Sequence, residues 1–200
     1  MPKKQDNMLE KFLSRKRSAV ANKLIPHRYR NGRILDIGCG EYPYFLINTQ
    51  FQEKYGMDRL VDGKGILSGQ KKDNIFIKNC DIEEKSLELF DSEYFDVVTM
   101  LAVFEHIETE RLPYIIKEIK RVLKFNGIFI LTTPAAWADG ILKILSGLKL
   151  VNPVMIEEHK ALYDKKNILS VLMKNGFSKE NIRFGNFELF INIWAAAIKK

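Results

Sequence analysis

Hydrophobic positions along this chain switch between a two-residue and a 3.6-residue period, and the switching predicts the order of elements. Arg33-Ile34-Leu35 is a short apolar run leading into Asp36-Ile37-Gly38-Cys39-Gly40, the pattern of a buried strand entering a tight turn. Glycine in such a turn lets the backbone take positive φ and lets a ligand approach the main chain. Lys54-Tyr55-Gly56-Met57-Asp58, Ile75-Phe76-Ile77 and Phe95 through Met100 predict three further strands. A helix follows, with Leu112, Ile115, Ile116, Ile119, Val122 and Leu123 on one face, and Asn126-Gly127 predicts its end. Ile128 through Pro134 predicts a fifth strand. Asp164 is a good N-cap for a helix carrying Ile168, Leu169, Val171 and Leu172, which Gly176 ends. Ile182-Arg183-Phe184 and Phe187 through Ala197 predict two last strands joined by a turn at Gly185-Asn186, and so short a connection makes them antiparallel. Alternating strands and helices over 200 residues argue for one α/β domain with a full core.

The chemistry gathers at the predicted strand ends. Asp58 lies roughly 20 residues beyond the first glycine turn, where nucleotide-binding βαβ units carry a ribose-binding carboxylate. That points to a nucleoside-containing cofactor across the carboxyl ends of a parallel sheet. A dinucleotide would want a third glycine opening the helix, so that its pyrophosphate meets the helix N-terminus. Here the chain continues Gly40-Glu41-Tyr42-Pro43-Tyr44, with no third glycine and with a negative charge where phosphates would sit. The ligand is therefore expected to be unphosphorylated near this turn.

An acidic residue followed by Gly-x-Gly at the end of the first strand resembles the first motif of the class I S-adenosylmethionine-dependent methyltransferases. Within that family the chain is similar to the small-molecule branch that includes the ubiquinone and menaquinone methyltransferases (methyltransferase type 11). Asp81-Ile82 after the third strand resembles the adenine site of the family, and Leu101 through Ile107 resembles its loop after the fourth strand. A helix ending in glycine before a strand ending in Thr132-Thr133-Pro134 is typical of the branch; Tyr42 departs from it, standing where a glycine is common. The resemblance covers roughly residues 30–200.

It implies a Rossmann-like α/β fold, with a seven-stranded, mostly parallel sheet, an antiparallel last strand and helices on both faces. It implies S-adenosylmethionine as cofactor. Asp36, Gly38 and Gly40 would flank the methionine portion, Asp58 the ribose hydroxyls, and Asp81 with Ile82 the adenine, with Leu101 lining the site. Asp96 is expected to fix the start of its strand. Methyl transfer needs a general base only when the acceptor is protonated at neutral pH. His106, at the mouth after the fourth strand, is the first candidate, with Glu105 beside it to orient it or to meet the cofactor's ammonium. His159, in Glu157-Glu158-His159-Lys160, is the second, and His27 is expected at the surface.

The charge distribution adds a separate unit. The formal net charge is +7, yet residues 1–33 hold ten Lys or Arg against two acids, and residues 34–200 hold 22 basic against 23 acidic. A near-neutral body counts against a nucleic-acid-binding face spread over the domain. Residues 1–30 read as a basic amphipathic arm, with Met8, Leu9, Phe12, Leu13, Val20 and Leu24 along a stripe. Such a helix serves either as a lid over the cofactor or as a peripheral contact with an anionic membrane or a phosphate-bearing substrate. Trp137, Ile141, Ile144, Leu145 and Leu148 predict an apolar helix within an insertion at about 135–160. It is too short and broken to span a bilayer. In the resembled family such an insertion helps to form the substrate pocket, which implies a small-molecule acceptor with a greasy part (quinone, lipid or saccharide-linked); otherwise it simply packs on the sheet. Cys39 and Cys80 show no pairing or metal-ligand spacing, and no signal peptide is apparent, so a cytoplasmic protein with reduced thiols is expected. Two other classes stay open: a nicotinamide-dependent oxidoreductase of similar topology, and a non-catalytic methyltransferase-like partner subunit.

Overall fold

The computed structural model describes residues 8–60, 74–84, 87–138, 161–188 and 190–200. Its framework is a seven-stranded sheet of β1 (Arg33–Ile37), β2 (Glu53–Asp58), β3 (Ile75–Asn79), β4 (Phe95–Leu101), β5 (Leu123–Pro134), β6 (Ile182–Phe187) and β7 (Asn192–Ile198). The spatial order is β3-β2-β1-β4-β5-β7-β6. β1 pairs in parallel with β2 and β4, β2 with β3, and β4 with β5. β7 runs antiparallel between β5 and β6, so the last strand is the one that opposes the rest. The strand order reverses at β1, with β2 on one side and β4 on the other. Open α/β sheets bind their ligands at such a switch point, beyond the carboxyl ends of the strands.

Strand alternation divides the core into two layers. Leu35, Val98, Phe129, Leu131, Ala195 and Ala197 face one layer, and Ile34, Val97, Ile128, Ile130 and Ala196 face the other. The first layer is covered by α3 (Leu112–Val122) and α4 (Lys165–Lys174), which bury Ile115, Ile116, Ile119, Ile168 and Leu172. The second is covered by α1 (Met8–Leu24) and the single turn α2 (Tyr44–Ile47), through Ala21, Phe45 and Leu46. α4 begins at a capping box, in which the Asp164 carboxylate accepts from Asn167 N at 2.7 Å and the Asn167 side chain accepts from Asp164 N. It closes at Gly176, whose φ is +96°.

Two glycines play other parts than the pattern predicts. Gly185 lies inside β6 opposite Trp194, and a Cβ there would stand 2.4 Å from the indole. The turn falls three residues later, where Glu188 and Phe190 carry positive φ. Gly127 does not cap α3, which ends at Val122 with Leu123 already extended. Its missing side chain instead lets the main chain pass the carbonyls of Lys124 and Asp96. The stripe expected on α1 is also displaced. Phe12 is half exposed, and the buried seam is formed by Ser18 and Ala21, continuing to Ile25. Trp137, expected on an apolar helix, is 57% exposed in a single 3-10 turn at Ala136–Ala138, and the rest of that helix lies outside the described residues.

Asp96 does what its position predicts. Its Oδ2 accepts from Arg33 N and from Lys124 Nζ, both at 2.8 Å, tying the starts of β1, β4 and β5. Replacing Asp96 with Ala should lower unfolding stability by about 1.5–3 kcal/mol, because a charge-assisted acceptor disappears and the Arg33 amide is left without it. The measurement is the denaturant midpoint, and ligand binding at the far end of the strands should be unchanged.

Candidate functional site

β1, β2 and β4 end on a common cavity of about 370 Å³, which the loop after β3 also lines. β1 ends in the Gly38–Gly40 turn, where both glycines take positive φ, 75° and 74°. A Cβ on Gly38 would collide with Val103 Cγ2 at 2.1 Å, so only glycine lets the β1 turn and the loop after β4 meet. Around Gly40 nothing stands nearer than the Tyr42 carbonyl at 3.9 Å, which leaves main chain open to the cavity. The turn is held to β2 by Gly38 N and Cys39 N, both donating to the Met57 carbonyl.

Every described residue expected to hold the cofactor lines this one cavity: Asp36, Gly38, Gly40, Asp58, Asp81, Ile82 and Leu101. His106 lines it too, whereas His27 is exposed at the surface and His159 lies outside the described residues. Asp58 is fixed through both oxygens. Gly40 N donates to Oδ2 at 2.7 Å and Leu60 N to Oδ1 at 2.8 Å. Each carboxylate oxygen has a second lone pair, so the group still accepts from a ligand. Asp81 is set by Glu83 N, which donates to its Oδ1 at 2.9 Å.

Asp36 differs from these in its burial. It is 3% exposed, and the Thr99 hydroxyl donates to its Oδ1 at 2.6 Å. Burial pushes its carboxyl up to about 7, the Thr99 hydrogen bond opposes that rise, and the nearby charge of Asp58 adds to it. Burial likewise pushes the Cys39 thiol up, so it is an inert wall of the turn and not a nucleophile.

Sequence reasoning did not reach several lining residues. Ser14, Arg17 and Ser18 line the cavity from α1, so the inner face of that helix closes one side of it. The signal for the two serines was the series of small residues Ser14, Ser18 and Ala21 at helical spacing, which allows close packing but does not form a strongly hydrophobic stripe. Thr99 was hidden in the apolar run of β4, where one hydroxyl amid Val97, Val98 and Met100 marks a buried polar partner. Glu105 parts from His106. It is 3% exposed, is not among the lining residues, and has one oxygen without a hydrogen-bond partner. Burial raises its carboxyl, and the charges of His106 and Arg17 pull it back. Arg17 acts in the same direction on Glu188, so one cation of α1 serves carboxylates on two elements of the body.

A family model of the methyltransferase domain matches residues 9–181. The chain belongs to the methyltransferase domain family. It is a class I methyltransferase, and its cofactor is S-adenosylmethionine. None of the curated proteins matches it in sequence. Among solved structures it is similar to an S-adenosylmethionine-dependent methyltransferase from Archaeoglobus fulgidus, at 16% identity and a TM-score of 0.65, covering 95% of this chain and 94% of that one. One from Mesorhizobium loti aligns at 15% identity and a TM-score of 0.69 over 94% of this methyltransferase and 100% of the other chain. Phosphoethanolamine N-methyltransferase 2 from Haemonchus contortus aligns at 16% identity and a TM-score of 0.67, over 92% of this chain and 52% of its own. No helix among the described residues is long and apolar enough to cross a membrane.

The raised Asp36 carboxyl fixes a sign for stability against pH. The folded methyltransferase holds this proton up to about 7, whereas the unfolded chain loses it near 3.8. Between those values the native state binds the extra proton, so stability falls as pH rises, by at most about 1.4 kcal/mol per pH unit. Denaturation of the ligand-free enzyme across that window should show the decline, and Asp36→Asn should flatten it.

Proposed function

We propose that this methyltransferase transfers a methyl group to a small-molecule acceptor with a lipophilic part. The observation that carries the reading is one cavity bordered by three carboxylates at strand tips, two positive-φ glycines and a histidine. In this reading Asp36, Gly38 and Gly40 flank the methionine portion of the cofactor. Asp58 accepts from both ribose hydroxyls, and Asp81 accepts from the adenine amine while the Ile82 amide donates to the ring. Leu101 lines the site beneath. The donor set fits a cationic nucleoside. It has carboxylates where hydroxyls and ammonium need acceptors and an open glycine main chain at Gly40.

When bound, S-adenosylmethionine supplies a methyl already activated on a sulfonium. The protein's own task is then placement, which in well-oriented systems contributes roughly 7–11 kcal/mol. α1 acts as a lid, with Ser14, Arg17 and Ser18 excluding water from the cofactor's open side. His106 takes a proton from the acceptor at the mouth. His159 and the insertion at 135–160 are proposed to complete the acceptor side.

The test is titration calorimetry with S-adenosylmethionine, S-adenosylhomocysteine and NADH. Both adenosyl compounds should bind, and Asp58→Ala should weaken them by about 10²–10⁴-fold, the loss of a charge-assisted acceptor being about 1.5–3 kcal/mol for each of the two hydroxyls. Unchanged circular dichroism checks that the variant folds. NADH binding with no response to the adenosyl compounds would overturn the reading. Against a metabolite extract with labelled methyl donor, His106→Ala should lower turnover by about 10²–10⁴ with cofactor affinity intact.

A further inference from the structure

We infer that the mouth of the cavity, on its α1 side, docks on the surface of an anionic lipid bilayer. Four exposed large apolar side chains stand on α1 and on the segments that meet at the carboxyl end of β5. Phe12 is 50% exposed, Trp137 57%, Leu162 47% and Phe190 68%. The backbone brings the last three to one place. Ala135 N donates to the Ile191 carbonyl and Ala136 N to the Tyr163 carbonyl, which puts Trp137, Leu162 and Phe190 beside a common junction at the carboxyl end of β5. Phe12 lies two residues before Ser14, which lines the cavity, and Lys16 stands over its ring at 5.1 Å. Arg17 and Lys16 of α1 also act through space on the carboxyl of Glu188 in the β6–β7 turn.

The charge around these side chains is positive. Arg15 and Lys16 are exposed on α1, and Lys165 and Lys166 are exposed just after Leu162. The carboxylates facing them are Glu188, already under the influence of Lys16 and Arg17, and Asp164, used as the cap of α4. Cofactor-side carboxylates Asp58, Asp81 and Glu83 border the cavity from β2 and the loop after β3. Aromatic anchors flanked by Lys and Arg are the chemistry of a helix lying in a lipid headgroup layer. A nucleic-acid groove would need cations tracked along it, whereas residues 34–200 hold 22 basic against 23 acidic. Docking in this way presents the cavity mouth to the bilayer, so an acceptor carried in the membrane reaches His106 without crossing water. This last step rests on the methyltransferase reading above, but the docking itself does not.

Sedimentation of the full chain with vesicles tests it. Vesicles of phosphatidylcholine with phosphatidylglycerol should bind the protein, neutral phosphatidylcholine vesicles should bind it far more weakly, and salt near 1 M should release it. Arg15→Gln with Lys16→Gln should weaken binding by about fivefold per charge. Phe12→Ser, Trp137→Ser and Phe190→Ser together should weaken it by roughly tenfold or more. S-adenosylhomocysteine affinity should be unchanged in both sets, which verifies folding and keeps this result separate from the cofactor assignment. Equal binding to neutral and anionic vesicles, no binding at low salt, or tighter binding to duplex DNA than to anionic vesicles would overturn the inference.

Discussion

Asp36 is buried at the tip of β1 with its carboxyl raised chiefly by burial, and the half-buried Asp58 at the tip of β2 adds a smaller repulsion in the same direction. Repulsion of this kind grows as the local dielectric falls. Dipoles answer it. Thr99 donates to Asp36, and the amides of Gly40 and Leu60 donate to Asp58. The turn at Gly38–Gly40 has to take its left-handed course for the Gly40 amide to reach that carboxylate. The unusual backbone and the unusual electrostatics are therefore one arrangement. A ligand with positive charge placed beside these carboxylates would relieve the same repulsion.

The sheet supplies the rigidity this requires. β1 and β2 are fully paired over the residues that precede the two aspartates, so neither carboxylate can retreat from the other. Asp96 performs the opposite service at the other end of the strands, where it ties Arg33 and Lys124 together. Polar groups at the two ends thus divide the work. One end fixes the register, and the other holds the strain of the site.

Much of this could be read from the residues alone, because acids and glycines placed after apolar runs have few structural uses. The succession of strands along the chain, Asp58 at the tip of the second and the antiparallel pairing of the last two follow from that pattern, whereas Asp36 and Asp81 are singled out by the family resemblance. Glycine was misread where its two meanings compete. At Gly185 and Gly127 it marks close approach by Trp194 or by a carbonyl, and a single sequence cannot distinguish this from a turn. The seam of α1 was misplaced for a related reason. Hydrophobicity points to Phe12, but tight packing of a helix over a cavity selects Ser14, Ser18 and Ala21, and the large side chain is left outside. Glu105 was legible as a residue of interest and not in its orientation, since neighbouring side chains at a strand end diverge.

The two faces of α1 also bear on how a lid and a surface contact can be one device. Its inner face carries Ser14, Arg17 and Ser18 toward the cavity, and Arg17 acts on Glu105 from one side and on Glu188 from the other. Its outer face carries Phe12, Arg15 and Lys16 away from the body. Arg17 shares its work on the two carboxyls with other groups, since His106 also lowers Glu105, and Asn192 and Lys16 also lower Glu188. Glu105 has an oxygen without a partner, as does Glu188, so displacing Arg17 would leave both charges less compensated. A helix held by that cation has a strong reason to stay closed. In the proposed reading, where α1 is both lid and surface contact, Arg17 ties the helix electrostatically to the body.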